Sequence, residues 1–449
     1  MADLFLEVGA EEIPAGFVPP ALEHLERDLA KALDDARLSH GEVKAVGTPR
    51  RLAVWARDVA PRQPDASSQA LGPPVAHAFD AEGKPTPAAL GFARSQGVDV
   101  AALERTQTPK GERLAVTKVE KGRPAAQVLP AVLERLVAGI RFKKSMRSRF
   151  DDVTFARPVR WLVALYGGRP LKIRFGEVVS GKVTYGHRFH APRAIALKGT
   201  PEDYVAKLRK ASVVVDPAER RALVEKEVAR AARAAGGRPL DNPGLVDEVT
   251  HLVESPTGIA GEFERSNLEL PREVVISELR SHQRYFAVVD GAGRLENRFV
   301  AVAGTKVKDP KVARHGYERV LRARLADARF FFEEDRKKKL RDRIEALGRR
   351  TYQAKLGSEL DRTHRIGAVA SALARALGKD ALVPDLLEVS RLAKTDLTTG
   401  MVGEFPELQG IMGAHYARGE GLKPDIADAI EDHYKPVGAS SEMPRGDLG

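Results

Sequence analysis

The segment Glu318–Lys339 reads ERVLRARLADARFFFEEDRKKK. Leu321, Leu325, Ala328 and Phe332 recur at steps of four, three and four, which is one apolar stripe of an α-helix. Arg322 and Arg329 lie seven apart on a flank beside that stripe, with Arg319 one turn before Arg322, while Arg324 points elsewhere. One side of this helix is built to pack, and the flank next to it carries cations. Arg336, Lys337, Lys338 and Lys339 add a second basic cluster. Upstream, strand and helix patterns mix; downstream, helix patterns alone follow. The basic helix is therefore expected to join a mixed region to a helical one and to form part of the working surface.

The 449 residues suggest about three domains at roughly 100–200 residues each. A 43% hydrophobic content supplies real cores and argues against a disordered chain. With 73 Lys+Arg against 62 Asp+Glu, the net charge is +11, which favours a polyanionic partner, nucleic acid first and an acidic membrane surface second. The absence of cysteine excludes disulfides, thiolate zinc sites and cysteine nucleophiles, and it fits a cytoplasmic setting. The N-terminal MADLFLEVGAEEIP has neither the positive start nor the long apolar run of a signal peptide, and no apolar run is long enough to span a membrane.

Leu4 to Val8 reads as a strand, and Leu22, Leu25, Leu29, Leu33 and Ala36 as the buried face of a helix. Leu52, Val54 and Ala56 alternate with Arg51, Trp55 and Arg57, the pattern of a half-buried strand. Gln63 to Pro87, rich in Pro, Ser, Ala and Gly, is expected to be an exposed loop. Val128, Leu129, Val132, Leu133 and Leu136 mark a helix from Ala126 to Ile140. RFKKSMRSRF, Arg141 to Phe150, has five cations and two aromatics in ten residues; it can hold phosphates and stack on bases, or be an exposed basic loop. Gly167-Gly168 and Asp290-Gly291-Ala292-Gly293 mark hairpin turns, and Gly236-Gly237 stops a helix running from Ala218 to Ala235. Ile366, Val369, Leu373 and Leu377 mark another helix, ending at Gly378.

Candidate chemistry is sparse. Gly176, four residues and Gly181-Lys182 nearly spell a phosphate-binding loop, but Val183 stands where a Ser or Thr would hold magnesium, and a strand pattern follows. No Gly-x-Ser-x-Gly elbow occurs. In SHQRYF, His282 with Arg284, Tyr285 and Phe286 can clamp a nucleotide or be a core histidine beside a snorkelling arginine. Histidines and carboxylates gather near the C-terminus: His364, Asp396, Glu404, Glu407, His415, Glu431, Asp432 and His433. All-helical HD-type phosphohydrolases hold a metal with a His, a His-Asp pair and a further Asp. In Lys394-Thr395-Asp396, Thr395 stands where the His of that pair would be, a poor exchange for an imidazole ligand. His364 and Asp396 are therefore degenerate positions of an HD-like bundle, and no metal site is expected. A metal-dependent HD-type phosphohydrolase acting on nucleotides or RNA is the alternative function.

Longer motifs carry a resemblance: LFLEVGAEEIP (Leu4–Pro14), TPRRLAV (Thr48–Val54), FKKSMR (Phe142–Arg147), RPVRWLVAL (Arg157–Leu165), GHRF (Gly186–Phe189), HQRYF (His282–Phe286), ERVLRARLADARFFFEED (Glu318–Asp335), LGS (Leu356–Ser358), KTDLTTGMVGEFPELQGIMGAHYA (Lys394–Ala417) and HYKP (His433–Pro436). In this order they resemble the β subunit of the bacterial heterotetrameric glycyl-tRNA synthetases. The resemblance implies a tRNA-binding and assembly subunit of a glycine–tRNA ligase, an α2β2 complex in which a separate α subunit uses ATP and magnesium to make glycyl-adenylate. Its partners would be that α subunit and tRNA(Gly), with no cofactor and no catalytic residue in this chain. It also implies a middle region similar to part of the phenylalanyl-tRNA synthetase β chain, and a helical domain of the degenerate HD type. The family continues past Gly449 into a helical anticodon-binding domain, so the chain reads as a C-terminally truncated fragment with weakened tRNA affinity. In SRFDDVTFARP, Ser148–Pro158, Ser148-Arg149 stands where the family has Trp-Gly, which puts a contact there in doubt.

The expected fold class is α+β, a mixed N-terminal region followed by an all-α HD-like bundle. Its expected divisions are an α+β region over 1–200, a second over 201–335 ending in the basic helix, and a helical domain over 336–449. The expected RNA contacts are Lys143, Lys144, Arg147, Arg149, Arg319, Arg322, Arg329, Arg336, Lys337 and Lys338.

Overall fold

The computed structural model describes residues 1–80, 83–148, 152–439 and 441–449, and it is α+β, with many helices beside antiparallel sheets. The chain forms two compact units. One is Met1–Arg220 with His251–Glu254; the other is Arg221–Thr250 with Ser255–Gly449.

The first unit is built on a five-stranded antiparallel sheet. Its order is Arg169–Pro170, Val159–Tyr166, Ala2–Ala10, Arg51–Val59 and Val43–Thr48, so the N-terminal strand is central. Side chains alternate across a strand. Leu4, Leu6 and Val8 therefore join one core, with Leu22, Leu25, Leu29 and Leu33 of the helix Val18–Asp35 and with Leu129 and Leu133 of the helix Ala125–Gly139. Phe5 joins a second core on the opposite face, with Trp55, Trp161, Val163 and Tyr204. Both faces are covered. Arg51 and Trp55, expected on a solvated face, are consequently buried.

Gly9 sits between two neighbours on that second face, paired with Arg51 on one side and Trp161 on the other. A methyl group at Gly9 would lie 1.9 Å from the Trp161 ring. The missing side chain is what lets the indole lie across the strand, under the Arg50 and Arg51 guanidiniums at 5.8 and 5.4 Å from its centre.

The second unit carries a four-stranded antiparallel sheet ordered Arg238–Pro239, Phe286–Val289, Leu295–Ala303 and Thr257–Glu262. The basic helix runs over Pro310–Arg336, beginning eight residues before Glu318, with Asp309 capping its start. Leu321, Leu325 and Ala328 are buried as expected, and Phe332 is half-buried. The helix shares one core with Tyr285 and Phe299 of the sheet region and with Met401, Met412 and Tyr416 beyond its own C-terminus. Asp335 fastens that end. It is buried and accepts from the backbone N–H groups of Gly400 and Met401 at 2.9 and 2.8 Å and from the Tyr416 hydroxyl at 3.1 Å, with Arg343 at 3.4 Å. A carboxylate there satisfies the unpaired N–H groups that open the short helix Gly400–Glu404.

Three further expectations change. The part after Arg336, expected to be all-α, carries a two-stranded antiparallel sheet of Thr351–Gln353 and Gly357–Ser358, because the chain reverses at Leu356 before the next helix. Gln63 to Pro87 is not a plain loop. Ala66–Pro74 is an edge strand of a three-stranded sheet with Gly111–Glu120 and Glu104–Thr108, over a small core of Ala78, Ala89 and Leu114. Its side chains are mostly exposed, so no apolar alternation marks it; pairing with a distant strand holds it. The helix Glu359–Ala376 exists, but Val369, Leu373 and Leu377 lie 68%, 58% and 65% exposed while Thr363, Gly367, Ser371 and Ala374 are inside. Close packing decides this: a methyl group on Gly367 would stand 2.7 Å from the Ser390 hydroxyl, so the neighbouring helix selects the small face.

Gly9→Ala is expected to destabilise the chain by about 1–3 kcal/mol through overpacking against Trp161. The expected observation is a lower urea midpoint by far-UV circular dichroism, with a changed tryptophan emission in the folded state.

Candidate nucleic-acid interface

The basic segments are exposed to different degrees. Lys143, Lys144 and Arg147 are exposed, and Arg147 pairs with the exposed Asp152 at 2.5 Å. Arg149 lies outside the described residues. Phe142 belongs to the core of the first unit, 4.9 Å from Phe155 and 5.9 Å from Phe17 ring to ring, so it is unavailable for base stacking.

On the long helix, Arg319 and Arg322 are exposed, and Arg322 has only a loose ion pair to Glu264 at 3.7 Å. Arg329 is different. Its guanidinium donates to the Ser266 carbonyl at 2.5 Å and lies 3.4 Å from both Asn267 Oδ1 and Glu269 Oε2, tying the helix to the turn Arg265–Glu269. Arg336 lies over Phe332 at 5.5 Å, Lys337 pairs with Glu334, and Lys338 is exposed. Arg319, Arg322, Arg336, Lys337 and Lys338 thus keep charged ends in water, where a polyanion can reach them.

The HQRYF segment packs. Tyr285 is buried and stacks on Phe299 at 4.7 Å, Phe286 is buried, and Arg284 pairs with Glu248 at 2.9 Å. These two rings belong to the core and have no open face for a nucleotide.

The C-terminal acids and histidines do not converge on one point. Glu407 binds Ser277, His415 lies 2.9 Å from Glu273, and Asp432 is held by Arg445 at 2.7 Å. Among the described residues no group of three or more His, Asp or Glu is placed to hold a metal ion. His364 is exposed, whereas Asp396 is fully buried and accepts from the N–H groups of Gly410 and Gly413 at 2.5 and 3.1 Å. Burial pushes the Asp396 carboxyl up to about 6. Lys394 is buried 3.6 Å from the centre of the Tyr434 ring, and burial brings its ammonium down to about 8. The KTD segment thus holds a turn in shape.

The first unit has a polar centre that the sequence pattern did not single out. Glu7 follows Leu4, Leu6 and Val8 out of phase, so strand alternation turns it into the second core. There Arg51, fully buried, lies 3.4 Å from Glu7 and 3.2 Å from Glu254, and it donates to the Tyr185 carbonyl at 2.6 Å. Thr48 donates to Glu254 at 2.6 Å; Thr184 and Tyr204 donate to Glu7 at 2.9 and 3.1 Å. Burial would lower the pKa of Arg51, but Glu254 and Glu7 override it and hold it above its ordinary value. Burial raises Glu7, while at Glu254 the attraction of Arg51 and the Thr48 hydrogen bond prevail over burial and keep its pKa low. Arg51 and Glu254 are thus the firmly charged pair.

Above this centre opens a cleft of about 370 Å³, lined by Glu11, Arg50, Arg160, Trp161, Tyr185 and Arg188 among others. Its residues come from LFLEVGAEEIP, TPRRLAV, RPVRWLVAL and the neighbourhood of GHRF, segments far apart in the chain. A charged residue inside an apolar strand, Glu7 in LFLEV, was the signal that could have pointed here.

A family profile described as glycyl-tRNA synthetase beta subunit matches residues 4–449. The chain is 79% identical over 449 residues to the glycine–tRNA ligase beta subunit of Anaeromyxobacter dehalogenans (strain 2CP-C). It is 52% identical over 447 residues to that of Myxococcus xanthus (strain DK1622), and 47% identical over 449 residues to that of Geobacter metallireducens. All of the chain is covered in each case, and it spans about 64%, 63% and 65% of those relatives' lengths. Nothing in these similarities supports the phosphohydrolase alternative.

His433 yields a pH prediction. Its Nδ1 lies 2.6 Å from the Ile430 carbonyl, and burial, then Lys394, bring its imidazole from an ordinary 6.5 down to about 3. The folded chain refuses a proton that the unfolded chain accepts, so this contribution is full above about 6.5 and is lost as pH falls towards 3. Asp396 acts oppositely, since the folded chain protonates it more readily, between its ordinary 3.8 and about 6. His433→Gln should therefore flatten the fall of the urea midpoint below about pH 6.5 relative to the parent chain; equal slopes would contradict the assignment.

Proposed function

The chain belongs to the glycyl-tRNA synthetase beta subunit family, and from that premise we propose that it is the tRNA-gripping and assembly part of a glycine–tRNA ligase. The observation that carries this reading is the family match from residue 4 to residue 449. In it, a separate α subunit uses ATP with magnesium to activate glycine, and the two kinds of chain assemble as α2β2 in the cytoplasm to charge tRNA(Gly). This chain supplies grip and contributes no bond-making group.

Three observations support the division of labour. The net charge of +11 rewards a polyanionic ligand. Lys143, Lys144, Arg319, Arg322, Arg336, Lys337 and Lys338 are exposed. Asp396, Glu407, His415 and Asp432 near the C-terminus are bound to structural partners. No helix among the described residues is long and apolar enough to cross a membrane. In this reading the part after Arg336 is a degenerate HD-type bundle, and the region before it is related to the phenylalanyl-tRNA synthetase β chain.

Two measurements test this. Mixing the chain with an α subunit of the family, glycine, ATP and tRNA(Gly) should give glycine transfer that neither chain gives alone; transfer by this chain alone would overturn the division of labour. In filter binding, Arg319→Ala with Arg322→Ala should weaken tRNA binding and flatten the dependence of log affinity on log salt, by about 0.7–0.9 for each phosphate no longer neutralised. An unchanged slope would remove both residues from the RNA surface. Arg329→Ala is a less clean probe, because it also releases the turn at Ser266.

A further inference from the structure

The cleft above Arg51 carries uneven charge. Arg188 pairs with Glu11 at 2.8 Å and Glu12 at 2.6 Å, Arg160 with Glu11 at 3.4 Å, and Arg50 reaches the same carboxylates only at 3.9 and 3.6 Å. Three guanidiniums therefore face two carboxylates at the cleft, one positive charge over by that count, while Glu254, which also attracts Arg50, is already paired with Arg51 beneath. Among the described residues Arg50 Nε is buried without a hydrogen-bond partner, since 3.6 Å to Glu12 is too long for one. Arg50 is also held in place, its guanidinium 5.8 Å over Trp161, whose ring lies across Gly9.

Beside these cations stands Tyr185. Its ring meets Trp161 edge-on at 5.2 Å and 67°, and the residue is 38% exposed. Its backbone is fixed, because its carbonyl takes a 2.6 Å hydrogen bond from Arg51. Trp161 itself is enclosed at 7% exposure, so a planar ligand must lie on Tyr185. The cleft of about 500 Å³ beside Arg298 and Arg314 offers no such combination: Glu262 and Glu318 balance its charges and no aromatic ring lines it.

We propose that the cleft formed by Arg50, Arg160, Arg188 and Tyr185 binds one nucleotide unit of an unpaired nucleic-acid strand, with its phosphodiester on the arginines and its base on Tyr185. One diester charge cancels the one surplus guanidinium. A free mononucleotide, whose phosphate carries about −1.5 to −2, would overfill it. A plain carboxylate would leave the ring unused. The inference rests on the RNA-binding reading above and adds to it a place where an unpaired segment is held.

The test is fluorescence anisotropy of a short labelled single-stranded RNA with the whole chain at several salt concentrations. AMP and an RNA duplex serve as competitors, and tRNA is titrated in parallel. Arg160→Ala, an exposed residue whose loss spares the core, should lower the log–log salt slope by about 0.7. Tyr185→Leu should weaken binding by about tenfold with the slope unchanged. Competition by AMP as strong as by the strand would make this a free-nucleotide site and overturn the strand assignment; so would equal slopes for Arg160→Ala and the parent. If tRNA binds while the short strand does not, the cleft inference fails and the RNA-binding reading survives. If neither binds, both fail.

Discussion

A guanidinium with no access to water organises the first unit. Taking a cation such as Arg51 out of solvent costs several kcal/mol, and the cost is met only where partners converge from every side. Glu7 comes from the central strand, Glu254 from the segment His251–Glu254, and the carbonyl of Tyr185 from the short strand Val183–Tyr185. Each carboxylate is itself held, Glu254 by Thr48 and Glu7 by Thr184 and Tyr204. Removing any one would strand a buried charge, so these distant segments are committed to one arrangement. Gly9 is the steric condition for it, because only a bare Cα leaves room for Trp161 to roof the cation.

The second unit solves a similar problem with an anion. Asp335, near the end of the long basic helix, closes the open N–H groups of Gly400 and Met401 and takes the Tyr416 hydroxyl. Packing through Leu321, Leu325 and Ala328 sets the helix rotation, and Asp335 fastens its last turn to Gly400 and Met401. The rotation leaves Arg319 and Arg322 in water, while Arg329, facing the Arg265–Glu269 segment, is committed to a structural bond. Cations on one helix thus divide into fasteners and available charges by what lies opposite them.

Both units carry arginines and lysines exposed to solvent. Several of their buried ionisable groups are held in fixed bonds, Arg51 by Glu254, Arg220 by the carbonyls of Gly47 and Val214, and Asp396 by backbone N–H groups. A chain built this way can orient a polyanion and leave chemistry to another polypeptide, which is the role proposed for it. The cleft over Arg51 is where preorganisation goes furthest, since the backbone of Tyr185 is held by the buried network beneath and the cation of Arg50 lies against the same Trp161 ring.

Periodicity along the chain was enough to reveal the α+β character, the long helix and its apolar stripe, the two hairpins and the helix that Gly236 closes, because these depend on neighbours three, four or two residues apart. The motif order was enough to reveal the family. Neither could show that Arg51 is interior, that Phe142 and Tyr285 are core, that Ala66–Pro74 is a strand, or that the Val369–Leu373–Leu377 stripe faces out. Those outcomes depend on what covers the second face of a sheet or the flank of a helix, and that neighbour lies far away in the chain. The cleft is the clearest case: Glu11, Arg50, Arg160 and Arg188 are ordinary surface charges when read in order, and they become one site only when strand pairing and a buried cation bring them together.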